Sequence, residues 1–151
     1  MKHAPALLAA VLVIALTAGS APEKAKQRRI IKSKNPAKAN LPYSEGVLVG
    51  DTLYLAGHTG HDPKTMKIPP DVEAEARVLL DGVQATLAEA GMTMDDLAYV
   101  TVYCTDLSLY NDFNKVYRTY FSQEFPARAF VGSGPLIFGA HFEVQAIAVK
   151  R

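Results

Sequence analysis

Residues 71–91, DVEAEARVLLDGVQATLAEAG, hold the segment on which the fold turns. Val72, Ala76, Leu79, Leu80, Val83 and Leu87 recur at the three- and four-residue spacing that places side chains on one face of an α-helix. Glu73, Glu75 and Glu89 are read as lying mostly off that face. Asp71 stands where a side-chain oxygen can accept a first-turn N–H, and Gly91 where a helix commonly ends in the left-handed conformation. Gly82 lowers helix propensity by roughly 1 kcal/mol relative to alanine, which points to a close backbone approach. A helix over 71–90 with a single apolar face must bury it against another element, and the order of the flanking segments argues for a sheet.

The flanking residues supply that sheet. Gly46–Val49 and Thr52–Ala56 are β-type runs separated by Gly50-Asp51, a two-residue hairpin signal. Leu97–Thr105 is β-branched and aromatic, and reads as a strand with apolar side chains on both faces: Tyr99, Val100, Val102 and Tyr103. A second helix is predicted over Leu109–Phe121, with Leu109, Phe113, Val116, Tyr117 and Tyr120 as its stripe and Pro126 beyond its end. Ala127–Gly132 and Phe142–Val149 complete the strands. The order β-β-α-β-α-β-β predicts an α+β fold, a mixed sheet with both helices on one face and the other face covered by another subunit. Gly57–Pro70 reads as a loop whose His58 and His61 are exposed; their spacing is no zinc pattern.

Composition sets the frame. The chain has 151 residues, 49% hydrophobic and 21% charged, enough for one domain with a packed core. Lys2, the apolar run Ala6–Leu16 and the small residues Ala18-Gly19-Ser20-Ala21 read as a secretory signal over 1–21. The run is too short to span a bilayer, so export to a periplasmic or secreted location is expected, without stable membrane insertion after cleavage. Residues 22–40 carry seven Lys or Arg against Glu23 and read as a basic, solvated linker arm. From Ala39 onward there are 8 basic and 14 acidic residues, a net of −6, so the total of +1 conceals a basic arm on an acidic domain, 41–151. The acidic domain argues against specific nucleic-acid binding. Cys104, the only cysteine, falls within a strand with no base near it in sequence and is expected to be buried and inert.

Pro42-Tyr43-Ser44-Glu45-Gly46, Val49–Gly57, Ala88-Glu89-Ala90-Gly91, Asn114-Lys115-Val116-Tyr117, Phe125-Pro126-Ala127-Arg128 and Phe142–Ala148, in this order and spacing, resemble the Rid (reactive intermediate deaminase, YjgF) family over nearly all of 35–151. The resemblance implies a chorismate-mutase-like fold, a homotrimer with ligand clefts between subunits, and hydrolysis of reactive enamines and 2-imino acids to 2-keto acids and ammonia. It implies no metal and no organic cofactor. Arg128 occupies the position of the family's carboxylate-binding arginine, and a guanidinium suits that task because it donates two parallel charge-assisted hydrogen bonds. Glu143 matches the acid that orients or activates water, and is the second catalytic candidate. Tyr43, Gly57, Asn114 and Phe130 are the further substrate-binding candidates, Tyr43 from across an interface.

Three departures bear on the substrate. Ala56-Gly57-His58 stands where the family has Ser-Gly-Gln, Phe130 where a small residue or cysteine is usual, and Gly82 where the first helix usually has asparagine. Loss of the serine and gain of Phe130 keep open a non-catalytic trimer that binds small carboxylates or protein partners. An endoribonuclease activity, attributed to some relatives, has only the basic arm in its favour.

Overall fold

The computed structural model describes residues 27–33 and 40–151. Residues 1–21, read from the sequence as a secretory signal, lie outside the described residues, as does much of the arm. No helix among the described residues is long and apolar enough to cross a membrane.

Seven strands form one sheet: β1 (Arg28–Ile31), β2 (Gly46–Val49), β3 (Thr52–Leu55), β4 (His58–Thr59), β5 (Leu97–Cys104), β6 (Ala127–Gly132) and β7 (Phe142–Val149). The order is β1-β2-β3-β7-β5-β6, and β4 prolongs the β3 side by pairing with the other half of β7. Every pairing is antiparallel except β5 with β6. A parallel neighbour requires a crossover, and here helix α2 (Tyr110–Tyr117) provides it. Helix α1 (Val72–Ala90) makes the corresponding link from β4 to β5.

Local chemistry sets the ends of these elements. The Asp71 carboxylate accepts the Ala74 N–H at 3.0 Å, and Gly91, at φ 74°, closes α1. The β2–β3 loop is Gly50-Asp51, with Gly50 at φ 59°, where a side chain would be strained. A 3₁₀ turn, Arg118–Tyr120, continues the winding after α2, so the predicted helix over 109–121 is regular only to Tyr117.

Both helices lie on one face of the sheet. Leu53 and Leu55, Val100 and Val102, and Phe142, Val144, Ala146 and Ala148 alternate inward to meet Leu79, Leu80, Val83 and Leu87 of α1 and Phe113, Val116 and Tyr117 of α2. Alternation leaves Tyr54, Tyr99, Val131 and Val149 exposed on the opposite face, an apolar surface of the kind that marks an interaction site.

Three features differ from the sequence reading. Arg28–Ile31, inside the stretch read as a solvated arm, is the edge strand of the sheet, because Ile31 is buried in the core while its basic neighbours stay in solvent. The segment read as a loop after Gly57 opens with β4, and His58 is buried rather than exposed. Glu75 is fully buried, since it shares the inner face of α1 with Val72 and Leu79 at helical spacing.

Candidate functional site

Arg128 belongs to β6, the outer strand on one side of the sheet. Its register partner is Val100, and paired residues of neighbouring strands share a face, so Arg128 lies on the helix side. Its Nη2 donates to Oδ1 of Asn114 at 2.7 Å. The guanidinium carbon lies 4.6 Å from the ring centre of Tyr117, 5.6 Å from Phe130 and 5.9 Å from Tyr110. Tyr110, Asn114 and Tyr117 recur at i, i+4 and i+7, so one face of α2 presents all three. Phe130 meets Tyr110 edge-on at 4.9 Å and Phe113 at 5.6 Å, which seats its ring in an aromatic cluster. No ion pair of Arg128 forms among the described residues. A cation is thus held in place by one amide oxygen and three ring faces, with its charge uncompensated by any carboxylate among the described residues.

Tyr117 adds a second polar group at this point. Its hydroxyl is buried with no hydrogen-bond partner among the described residues. Burial pushes its pKa up to about 12, with the Arg128 charge acting in the opposite sense, so the hydroxyl stays protonated at neutral pH.

Glu143 is elsewhere. It pairs with Tyr103 and with Thr59, between the inward-facing Phe142 and Val144, so it projects from the open face of the sheet. Its carboxylate lies directly over Gly57: a Cβ added there would stand 1.9 Å from Glu143 Oε1. Gly57 and the half-exposed Tyr43 both line a cleft of about 480 Å³, walled further by Ala85, Ile137 and Phe138. The structure therefore sorts the six candidates into two groups: Arg128, Asn114 and Phe130 on the helix side of one edge, and Glu143, Gly57 and Tyr43 around the opposite half. Arg128 and Glu143 do not meet within one chain.

The departures at His58 and Gly82 are one structural exchange. The His58 ring places Nδ1 3.0 Å from the Ala56 carbonyl oxygen and Nε2 3.0 Å from Thr86 Oγ1, with Glu45 Oε2 at 3.6 Å. Its Cδ2 lies 3.3 Å from where a Gly82 Cβ would be, so the imidazole fills the space that a longer residue on α1 would need. Cys104 is buried, its thiol donates to the Asp106 carbonyl at 3.0 Å, and burial pushes its pKa up, all of which disfavour a thiolate. Among the described residues no three His, Cys, Asp or Glu side chains gather as a metal site.

Sequence reasoning missed Tyr110 and Tyr117 as companions of Arg128, although their spacing from Asn114 on the predicted helix was the available signal. It also missed the buried carboxylate of Glu75.

A mixed sheet backed by two helices, with Arg128 on an edge strand and the Glu143 carboxylate over Gly57 on the opposite face, defines an α+β protein. A family model described as endoribonuclease L-PSP matches residues 32–150, and the chain belongs to this family, the Rid or YjgF family of the sequence resemblance. It is 35% identical over 126 residues to the 2-iminobutanoate/2-iminopropanoate deaminase of Escherichia coli K12, covering 82% of this chain and 98% of the relative. It is equally similar, at 35%, to the RutC family protein PH0854 of Pyrococcus horikoshii, covering 82% and 99%. Among solved structures, the E. coli YjgF gene product superposes with a TM-score of 0.76 at 35% identity, and E. coli TdcF with bound serine with a TM-score of 0.76 at 32% identity. Each covers 82% of this chain and 99% of the neighbour. The YjgF-like fold expected from the sequence is the fold observed.

Proposed function

We propose that this protein hydrolyses 2-imino acids and their enamine tautomers to 2-keto acids and ammonia, as a homotrimer whose clefts lie between subunits. The observation that carries the reading is the Arg128 guanidinium, held by Asn114 yet paired with no carboxylate among the described residues. A buried or half-buried cation without an anion is costly unless a ligand supplies one. The small amino acid in the E. coli TdcF structure supports a carboxylate ligand for this fold.

The chemistry then divides between two subunits. Arg128 of one holds the substrate carboxylate. Glu143 of the next, over Gly57, takes a proton from water as the water oxygen bonds to the imine carbon. Glu143 returns that proton to the carbinolamine nitrogen, and as the C–N bond breaks the hydroxyl gives up its proton to the Glu143 carboxylate, so that ammonia leaves and the carbonyl forms. The placement of Arg128 and Glu143 on opposite faces of one sheet supports a shared cleft, because one chain cannot direct both at a small substrate. The exposed Tyr54, Tyr99 and Val131 of the open face suit burial against a second copy. No metal or organic cofactor enters this scheme. Export directed by residues 1–21 would bring the enzyme to imines formed outside the cytoplasm, and the mature N-terminus of protein recovered from the envelope fraction tests it.

The experiment is imine generation in situ by an amino-acid oxidase, across a panel of side chains, with keto-acid release followed against buffer. Faster release with the protein is the expected result; no acceleration on any imine would sink the enzymatic reading. Phe130 and Ala56 favour one competitor, a non-catalytic carboxylate-binding trimer, and calorimetric binding of small carboxylates without turnover would select it. Endoribonuclease activity remains disfavoured by the net charge of −6 from Ala39 onward.

Gly57→Ala is a further check on the seat of Glu143. The added methyl meets the end of the Glu143 side chain and not the backbone. The carboxylate is expected to swing away, with turnover reduced at least tenfold and the thermal midpoint nearly unchanged. Steady-state kinetics beside thermal unfolding reads both.

A further inference from the structure

Glu75 takes no part in the chemistry proposed above, yet its side chain is completely buried in the first turn of α1. A carboxylate removed from water is tolerated only when its oxygens are bonded. All the bonds recorded for this one run to the start of β7. Oε1 accepts the His141 N–H at 2.7 Å and the Phe142 N–H at 3.1 Å, and Oε2 lies 2.6 Å from His141 Nδ1. The acid thus grips the two residues immediately before Glu143.

The surroundings of this grip are tight. A Cβ at Gly60 would stand 2.4 Å from the Glu75 backbone oxygen and 2.5 Å from its Cγ, so the end of β4 passes directly against this turn of α1. β4 in turn pairs with β7 at Glu143 and Val144. Glu143 therefore lies between two fixed points: the β4 ladder beside it, and the Glu75 clamp one residue behind it. The strand advances about 3.3 Å per residue, so a slip of the clamped peptide carries through to the carboxylate over Gly57.

We propose that Glu75 is a positioning residue for Glu143, fixing the start of β7 so that the Glu143 carboxylate stays against Gly57. The inference rests on the reading of Glu143 as the acid that handles water. Glu75→Gln retains an oxygen for the two backbone N–H groups, and Glu75→Leu retains the bulk without an acceptor. Glu75→Asp retains the charge but shortens the reach by one methylene.

The test measures kcat and KM for imine hydrolysis on the full chain, together with crystal structures of the variants. Glu75→Gln is expected to keep kcat within threefold of wild type. Glu75→Leu is expected to lose at least tenfold in kcat with KM moved less than threefold, because Arg128 still holds the substrate, and to show the Glu143 carboxylate displaced from Gly57. If Glu75→Leu does not fold, Glu75→Asp decides by the same split. Wild-type kcat in a folded Glu75→Leu or Glu75→Asp, or an undisplaced Glu143 in its structure, overturns the proposal. If wild type hydrolyses no imine, the functional reading fails by itself, and the position of Glu143 in the variant structures still decides the positioning role.

Discussion

Arg128→Ala is expected to lower kcat/KM for imine hydrolysis by roughly 10²- to 10³-fold while leaving the fold intact. Two charge-assisted hydrogen bonds to a carboxylate contribute about 1.5–3 kcal/mol each, and about 1.4 kcal/mol is a factor of ten. The upper part of that range is discounted because the free cleft is open to water. The fold loses little, since among the described residues the Arg128 side chain is held only through the Asn114 amide and contacts with ring faces. Arg128→Lys is expected to recover only a small part of the loss, because an ammonium cannot donate two parallel bonds in one plane. Steady-state kinetics on oxidase-generated imines, with equilibrium denaturation alongside, measures both effects. A wild-type kcat/KM in Arg128→Ala would remove the carboxylate clamp from the mechanism.

Glu143→Gln is expected to separate the kinetic constants differently. The amide keeps the size and much of the hydrogen bonding of the carboxylate but cannot take a proton from the attacking water. Loss of a positioned general base typically costs about 10²- to 10⁴-fold, and the effect falls on kcat. KM should change by no more than a few-fold, because the proposed carboxylate clamp, Arg128, lies on the other face of the sheet from Glu143. The glutamine should pack over Gly57 as glutamate does, so the melting temperature should stay close to wild type. Unchanged turnover would show that Glu143 only builds the cleft wall.

Much of the fold could be read from residue order because its elements carry strong local signals. Asp71, the apolar face and Gly91 defined α1 at both ends, and Gly50-Asp51 located the first hairpin. β5, β6 and β7 were found where β-branched and aromatic residues run together. What escaped detection depended on tertiary contacts. β1 buries a single residue, Ile31, among basic neighbours, and an edge strand with one inward side chain has no period to detect. β4 is two residues long and exists only because β7 is there to pair with it. Glu75 has the spacing of a core residue but the chemistry of a surface one, and chemistry was given the greater weight.

The candidate site divides the same way. The identities of Arg128, Glu143, Tyr43, Gly57, Asn114 and Phe130 came from family resemblance. Their grouping follows from register: Arg128 faces with Val100 and Glu143 with Tyr103, and strand pairing across distant segments cannot be deduced from one strand's composition. The aromatic seat of Arg128 was within reach, since Tyr110, Asn114 and Tyr117 already fell on one side of the predicted helix.

That division of the sheet into two faces has a genetic consequence. If each cleft takes its arginine from one subunit and its glutamate from the next, the two lesions are complementable. Arg128→Ala chains and Glu143→Gln chains, each inactive alone, would regain activity when unfolded and reassembled together. In a ring with head-to-tail contacts, random mixing in equal amounts restores about a quarter of the clefts, those pairing an intact arginine with an intact glutamate. Two dead alleles would then support one living enzyme.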